Sequence, residues 1–144
     1  MAAAFGILRV AFGLFFIYAG LIKVSDTAAF SETIANYHLL PDYLVNPAAV
    51  FIPWIEALCG LGLVMGILAR GAALILECLL AAFTAGVAYN WWRGLDIECG
   101  CFGDVAGLSS GMAAATFRDA ALLLLGLVVL WRVLSVPKRK YIYK

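Results

Sequence analysis

Four apolar stretches of about 20 residues each dominate this chain and leave few ways to fold it. They run from about Phe5 to Val24, Pro47 to Ala69, Ala72 to Trp92 and Ala113 to Leu134. As helices rising ~1.5 Å per residue, segments of this length cross a hydrocarbon core of ~30 Å. The charges fall mostly between the blocks, as expected when the blocks face lipid and the connections face water. Composition agrees: 65% of residues are hydrophobic and 13% charged, against about a quarter charged in ordinary soluble domains. A net charge of +1 supplies no basic field for nucleic acid. Membrane lipid is the implied surrounding.

The expected fold is therefore all-α, an integral membrane bundle of four transmembrane helices. No repeat, linker or low-complexity tract interrupts the chain, so residues 1–144 read as a single domain. The first block reads as an uncleaved helix rather than a signal peptide. No basic residue precedes Arg9, the apolar run is too long, and Tyr18-Ala19-Gly20 makes a poor cleavage site. Between the first two blocks, Ser25 or Asp26 is placed to cap a short helix reaching Tyr37, with Pro41 ending that segment. Pro53 is expected within the first turns of the second block, and a tight turn is expected at Ala69-Arg70-Gly71.

Lysine and arginine set the orientation. The tail carries Lys138, Arg139, Lys140 and Lys144, and the connection between the second and third blocks carries Arg70. The two longer loops are acidic, with Asp26, Glu32 and Asp42 in one and Asp96, Glu98 and Asp104 in the other. Both termini are thus expected in the cytoplasm, with Arg93 as the main dissent. Tyr89, Trp91, Trp92 and Trp54 mark one membrane boundary and Trp131 the other. The chain reads as a multi-pass protein of the cytoplasmic (inner) membrane, with Cys99 and Cys101 on the periplasmic or extracellular side. Disulfides persist there.

The loop Asp96-Ile97-Glu98-Cys99-Gly100-Cys101-Phe102-Gly103-Asp104 is the most chemically specific segment. Thiols one residue apart close only a small, strained ring, and strain makes a disulfide easier to reduce. Gly100 and Gly103 relax the backbone for such a loop. Asp96 and Glu98 work against a reactive thiolate, and Arg93 or Arg118 is placed to offset them. The same pair reads alternatively as a metal ligand set or as a structural feature. Cys59 and Cys78 lie nearly equal distances from the Arg70 turn. They read either as buried small apolar residues or as an inner dithiol that passes electrons inward.

Glu56 and Glu77 lie inside apolar blocks, where ionisable groups are costly and face the bundle interior. Glu56 sits one turn from Cys59 and is placed either to accept a thiol proton or to pair with Lys23 or Arg118. Glu77 is expected to snorkel to the cytoplasmic surface or pair with Arg70. His38, the only histidine, reads as a surface residue rather than a metal ligand. Gly62-Leu63-Val64-Met65-Gly66 matches a close-packing GxxxG motif. No phosphate-binding glycine loop, zinc-protease motif or nucleophile elbow is present in the sequence.

Several of these pieces together resemble the MauE family of methylamine-utilisation membrane proteins, within the wider DoxX-like group. They are Tyr18-Ala19-Gly20 with Lys23, Tyr37 to Pro41, Pro53-Trp54-Ile55-Glu56, Cys99-Gly100-Cys101-Phe102-Gly103, and Arg118. The resemblance implies a four-helix membrane fold that handles disulfides outside the cytoplasm together with a thioredoxin-like partner. Carried over, Cys99 and Cys101 are the redox pair, and Lys23, Glu56 and Arg118 are family positions. Cys59 and Cys78 are not part of the motif.

The leading expectation is a membrane thiol–disulfide oxidoreductase whose Cys99 and Cys101 exchange with a periplasmic thioredoxin-like protein. Its electrons pass to a quinone near Trp91 and Trp92, with Lys23, Glu56 and Arg118 as polar groups, or along Cys59 and Cys78. Two alternatives use the same residues: a carrier of a soft metal such as mercury or copper, and a non-catalytic membrane assembly factor.

Overall fold

A computed structural model describes residues 2–94 and 112–135, with side chains for 5–94 and 116–135. The loop holding Cys99 and Cys101 and the basic tail from Lys138 to Lys144 lie outside the described residues. Five helices account for nearly all of what is described: α1 Ala2–Ser25, α2 Thr27–Asn36, α3 Asp42–Met65, α4 Ala69–Trp92 and α5 Met112–Ser135. Three of them contain segments long and apolar enough to cross a bilayer: Phe5–Ser25, Asp42–Met65 and Ala69–Trp92. The fourth apolar block forms α5 as a 24-residue helix.

The outer surface carries the signature of a lipid-facing protein. Leu14, Leu21, Phe51, Leu58, Leu74 and Leu124 are exposed, whereas Lys23, Glu56, Glu77, Asn90 and Asp119 are buried. Apolar side chains outside and ionisable ones inside reverse the arrangement favoured in water. Together with the three segments of spanning length, this marks a multi-pass membrane protein.

α1 packs most intimately against α3, and the reason is backbone contact. A Cβ placed on Gly20 would stand 2.7 Å from the Pro53 carbonyl oxygen, and one on Gly60 would stand 2.7 Å from that of Gly13. Neither position tolerates a side chain without separating the helices. Small residues serve this purpose in membranes, where apolar burial gives no net drive for one helix to leave lipid for another. The GxxxG match at Gly62 and Gly66 does not make this contact. Gly66 instead ends α3 in the left-handed conformation (φ 76°), which glycine adopts at little steric cost.

That glycine moves the expected turn. It falls at Gly66-Ile67-Leu68, with Leu68 also left-handed (φ 52°), so α4 already begins at Ala69. Arg70 then lies in the first turn of α4. Its Nε and Nη2 donate to the Val133 and Leu134 carbonyl oxygens at 3.3 and 3.5 Å. A guanidinium at the carboxyl end of α5 satisfies carbonyls that helix geometry leaves open.

At the opposite end, the short helix in the first connection forms as expected. Asp26 caps α2, its carboxylate accepting the Ala29 N–H at 3.0 Å. Such a cap contributes about 1 kcal/mol. α3 starts at Asp42, earlier than the apolar pattern suggests, and takes both Pro47 and Pro53 into the helix. Pro53 is therefore central rather than in the first turns. The additional amino-terminal turns of α3 pack on α2, where Phe30, Ile34, Val45 and Ala49 form a small core. The main core lies deeper, around Phe12, Phe16, Leu63, Leu76, Leu80, Val129 and Val133.

Candidate functional site

Gly20 and Pro53 mark the close approach of α1 and α3, and one turn beyond each stand Lys23 and Glu56. Lys23 Nζ donates to Glu56 Oε1 at 2.9 Å and to Oε2 at 2.7 Å. Both side chains are almost fully buried, at 4% and 3% exposure. The cap at Asp26 folds α2 back so that the Phe30 ring lies 5.1 Å from Lys23 Nζ, while Phe83 of α4 lies 5.0 Å from it. The ammonium is thus held between one carboxylate and two aromatic faces. Each contact is stronger in a dry interior than in water.

Asp119 brings α5 to the same place. It lines a cavity of about 10 Å³ together with Phe16, Ala19, Lys23, Glu56, Leu80 and Phe83. Its Oδ1 accepts Arg118 Nε at 3.2 Å, and its Oδ2 has no hydrogen-bond partner among the described residues. Lys23 and Arg118 balance Glu56 and Asp119 in charge, so the layer is neutral as a whole. Neutrality and direct pairing are what make ionised groups tolerable at membrane depth. The cavity is at the lower limit for a single water and far below the ~300 Å³ of a small-molecule pocket.

This arrangement brings together three residues expected from the sequence, Lys23, Glu56 and Arg118, and adds Asp119. The expected pairing of Glu56 resolves to Lys23. Arg118 reaches outward, its side chain 41% exposed, and touches the layer through Asp119. Helical phase could have identified Asp119. Asp119, Gly126, Val129 and Val133 are buried along one face of α5, whereas Phe117 and Arg118 are exposed. Asn90 escaped the sequence reading too. It is fully buried near the end of α4, with Nδ2 donating to the Gly86 carbonyl oxygen at 3.0 Å. A lone amide in an apolar helix was the available signal.

The remaining candidates lie apart from the layer. Trp91 and Trp92 are exposed on the last turn of α4, whereas Lys23 is enclosed. Cys59 is half-buried against the main core, and Cys78, next after Glu77 in α4, is exposed; both thiols are free. Glu77 neither snorkels nor pairs with Arg70. It is buried, and neither carboxylate oxygen has a hydrogen-bond partner among the described residues. Arg70 is engaged with the end of α5 instead, and packing of α4 against α5 turns Glu77 inward. His38 is exposed in the turn after α2. Cys99 and Cys101 fall in the segment between Gly94 and Met112, outside the described residues. Both flanks of that segment belong to the end of the bundle that carries Lys23, Phe83 and Asp119.

Comparison with known proteins gives a consistent answer. The family model described as methylamine utilisation protein MauE matches residues 1–132. A methylamine utilization protein MauE from Paracoccus denitrificans is 38% identical over 96 residues, covering 66% of this chain and 52% of its own length. Its namesake in Methylorubrum extorquens is 32% identical over 115 residues, covering 73% of this chain and 62% of the relative. A third, from Methylophilus methylotrophus, is 37% identical over 84 residues, covering 58% and 44%. The chain thus matches about half the length of these curated relatives. No solved structure matches.

Proposed function

The chain belongs to the MauE family, and from that premise we propose that it is a membrane thiol–disulfide oxidoreductase serving methylamine utilisation. Cys99 and Cys101 are its redox pair, and a thioredoxin-like protein outside the cytoplasm is its partner. One observation carries the proposal. The segment with two thiols one residue apart joins α4 to α5 at the end of the bundle where Lys23, Glu56, Asp119 and Arg118 form a buried, charge-balanced layer.

The chemistry balances without a further reagent in the exchange step. A thiolate of the pair attacks the partner's disulfide and gives a mixed disulfide. The second thiolate then resolves it, leaving the partner as a dithiol and Cys99–Cys101 as a disulfide. The reverse sequence oxidises the partner. Regeneration moves two electrons and two protons, and a quinone is the proposed acceptor or donor. The layer's cavity is too small for a quinone ring, which favours binding from the lipid side beside Trp91 and Trp92. Asp119, whose Oδ2 has no hydrogen-bond partner among the described residues, is the proposed local carrier of the protons, and Glu56 holds Lys23 beside it.

The topology belongs to the same proposal. α5 is the fourth span, its Arg118 and Asp119 neutralising each other, and the whole chain is one domain. The basic tail supports cytoplasmic termini and an inner-membrane location in this reading.

The test is the redox state of each cysteine in native membranes, trapped by acid and alkylated with a mass-shifted maleimide. A reversible Cys99–Cys101 disulfide is expected, with Cys99→Ser or Cys101→Ser trapping a thioredoxin-like protein. If both thiols remain reduced outside the cytoplasm and trap nothing, the oxidoreductase reading fails. Function that survives the double replacement would point to a non-catalytic assembly role.

A further inference from the structure

Glu77 lies two turns into α4, and none of the chemistry above uses it. Its side chain is buried, and neither oxygen meets a hydrogen-bond donor among the described residues. Its surroundings are built to receive it. Gly126 of α5 faces the carboxyl directly: a Cβ there would collide with Glu77 Oε2, and would also stand 2.9 Å from Phe12 Cζ. The space a side chain on α5 would fill is the space the carboxyl occupies. Leu76, Leu80 and Val129 are fully or almost fully buried in the same core.

An ionised carboxylate in such a place needs a cation or several donors. The charged and titratable groups on the surrounding elements do not supply them. On α1, Arg9 lies about one turn from Phe12, and its guanidinium sits over Gly66. On α3, the Cys59 thiol packs into the core. On α4, Arg70 is bonded to the Val133 and Leu134 carbonyls, and Cys78 faces outward. On α5, Asp119 is about two turns from Gly126 and bonds Arg118, while Arg132 stacks near Trp131. None is hydrogen-bonded to Glu77.

We infer that Glu77 is a proton-binding site inside the membrane: a neutral carboxylic acid seated in the glycine notch of α5, exchanging its proton with water on the side of the α3–α4 turn. The direction follows from depth. Eight residues separate Glu77 from the start of α4 at Ala69, a distance of ~12 Å along the helix, and fifteen separate it from Trp92, ~22 Å. Arg9, whose Nε is a buried polar atom, lies at that same turn with its guanidinium beside Gly66. In the opposite direction Leu80 and Phe16 stand between Glu77 and the Lys23 layer. The site is independent of Cys99 and Cys101 and stands or falls apart from the redox proposal.

A hydrophobic carbodiimide tests it, because the reagent adds to protonated carboxyls in apolar surroundings. The full chain, in sealed vesicles of defined orientation, is treated while the pH on one side only is raised from about 6 to about 9. The expected result is an adduct on Glu77 by mass spectrometry. Its yield falls several-fold when the α3–α4 turn side is made alkaline and is unchanged when the other side is. Glu77→Gln removes the adduct, while Asp119→Asn leaves it. No adduct on Glu77 in the wild-type chain overturns the inference, as does a yield indifferent to pH on both sides. A response to the opposite side alone overturns the route.

Discussion

Removing one partner of the Lys23–Glu56 pair should destabilise the bundle strongly, and the two single variants should answer to pH in opposite directions. Both groups are almost fully buried and make two contacts of 2.7 and 2.9 Å with each other. In Lys23→Met the carboxylate loses its cation. It can escape the cost of an unpaired buried charge by taking up a proton, so neutralisation sets a ceiling. For a free glutamate at pH 7 that ceiling is roughly 4 kcal/mol, and for a free lysine, as in Glu56→Gln, it is roughly 5 kcal/mol. Both ceilings fall within the about 3–5 kcal/mol typical of breaking a buried pair from one side.

The signs separate the cases. Neutralising a carboxylate becomes cheaper as pH falls, so the Lys23→Met deficit should shrink toward acid, by up to about 1.4 kcal/mol per pH unit. Neutralising an ammonium becomes cheaper as pH rises, so the Glu56→Gln deficit should shrink toward alkali. The combination Lys23→Met, Glu56→Leu leaves no charge behind and should recover most of the loss. Reversible unfolding in mixed micelles across a pH series measures all three. Single variants that each lose less than about 1 kcal/mol, or that share one pH slope, would refute the reasoning. They would mean that water reaches the pair.

Further outcomes follow from other contacts. Gly60→Leu should separate α1 from α3 and abolish folding in micelles, whereas Gly71→Leu, in open space on α4, should not; thermal melts of the two compare them directly. Leu68→Gly should stabilise the chain by about 1 kcal/mol by relieving a left-handed leucine, read as a higher melting temperature. Arg70→Met should cost about 1 kcal/mol and fray the end of α5 it caps, seen as faster amide exchange at Val133 to Ser135.

Length and hydropathy made the helices legible, because a bilayer of fixed thickness demands long apolar segments whatever they pack against. Boundaries were less legible wherever a backbone conformation decided them. Gly66 reads as half of a packing motif until its left-handed φ shows it ending α3. Pro47 reads as the start of the second block and Pro53 as part of its first turns, yet both fall inside α3. The partners of charged residues depend on tertiary approach, which spacing along the chain does not encode. Glu56 had two candidate cations, and Gly20 meeting Pro53 selects Lys23. Arg70 was available to Glu77 in sequence, but in space it reaches the end of α5.

The two buried acids show why a membrane interior needs reading by pairs and not by residue type. Glu56 and Glu77 look alike in the sequence, each a single carboxylate in an apolar helix. α1 brings Glu56 a lysine because Gly20 lets the helices touch one turn away. α5 brings Glu77 a glycine, which offers space and no charge. The first is a fixed ion pair whose value lies in holding α1 to α3. The second is a carboxyl whose uncompensated burial is relieved by a proton, and protons come and go. A carbodiimide reagent should therefore leave Glu56 unmodified while Lys23 is present, and begin to modify it in Lys23→Met as the carboxylate takes up its proton. Equal labelling of Glu56 with and without Lys23 would show that the cation contributes nothing to keeping that carboxylate ionised.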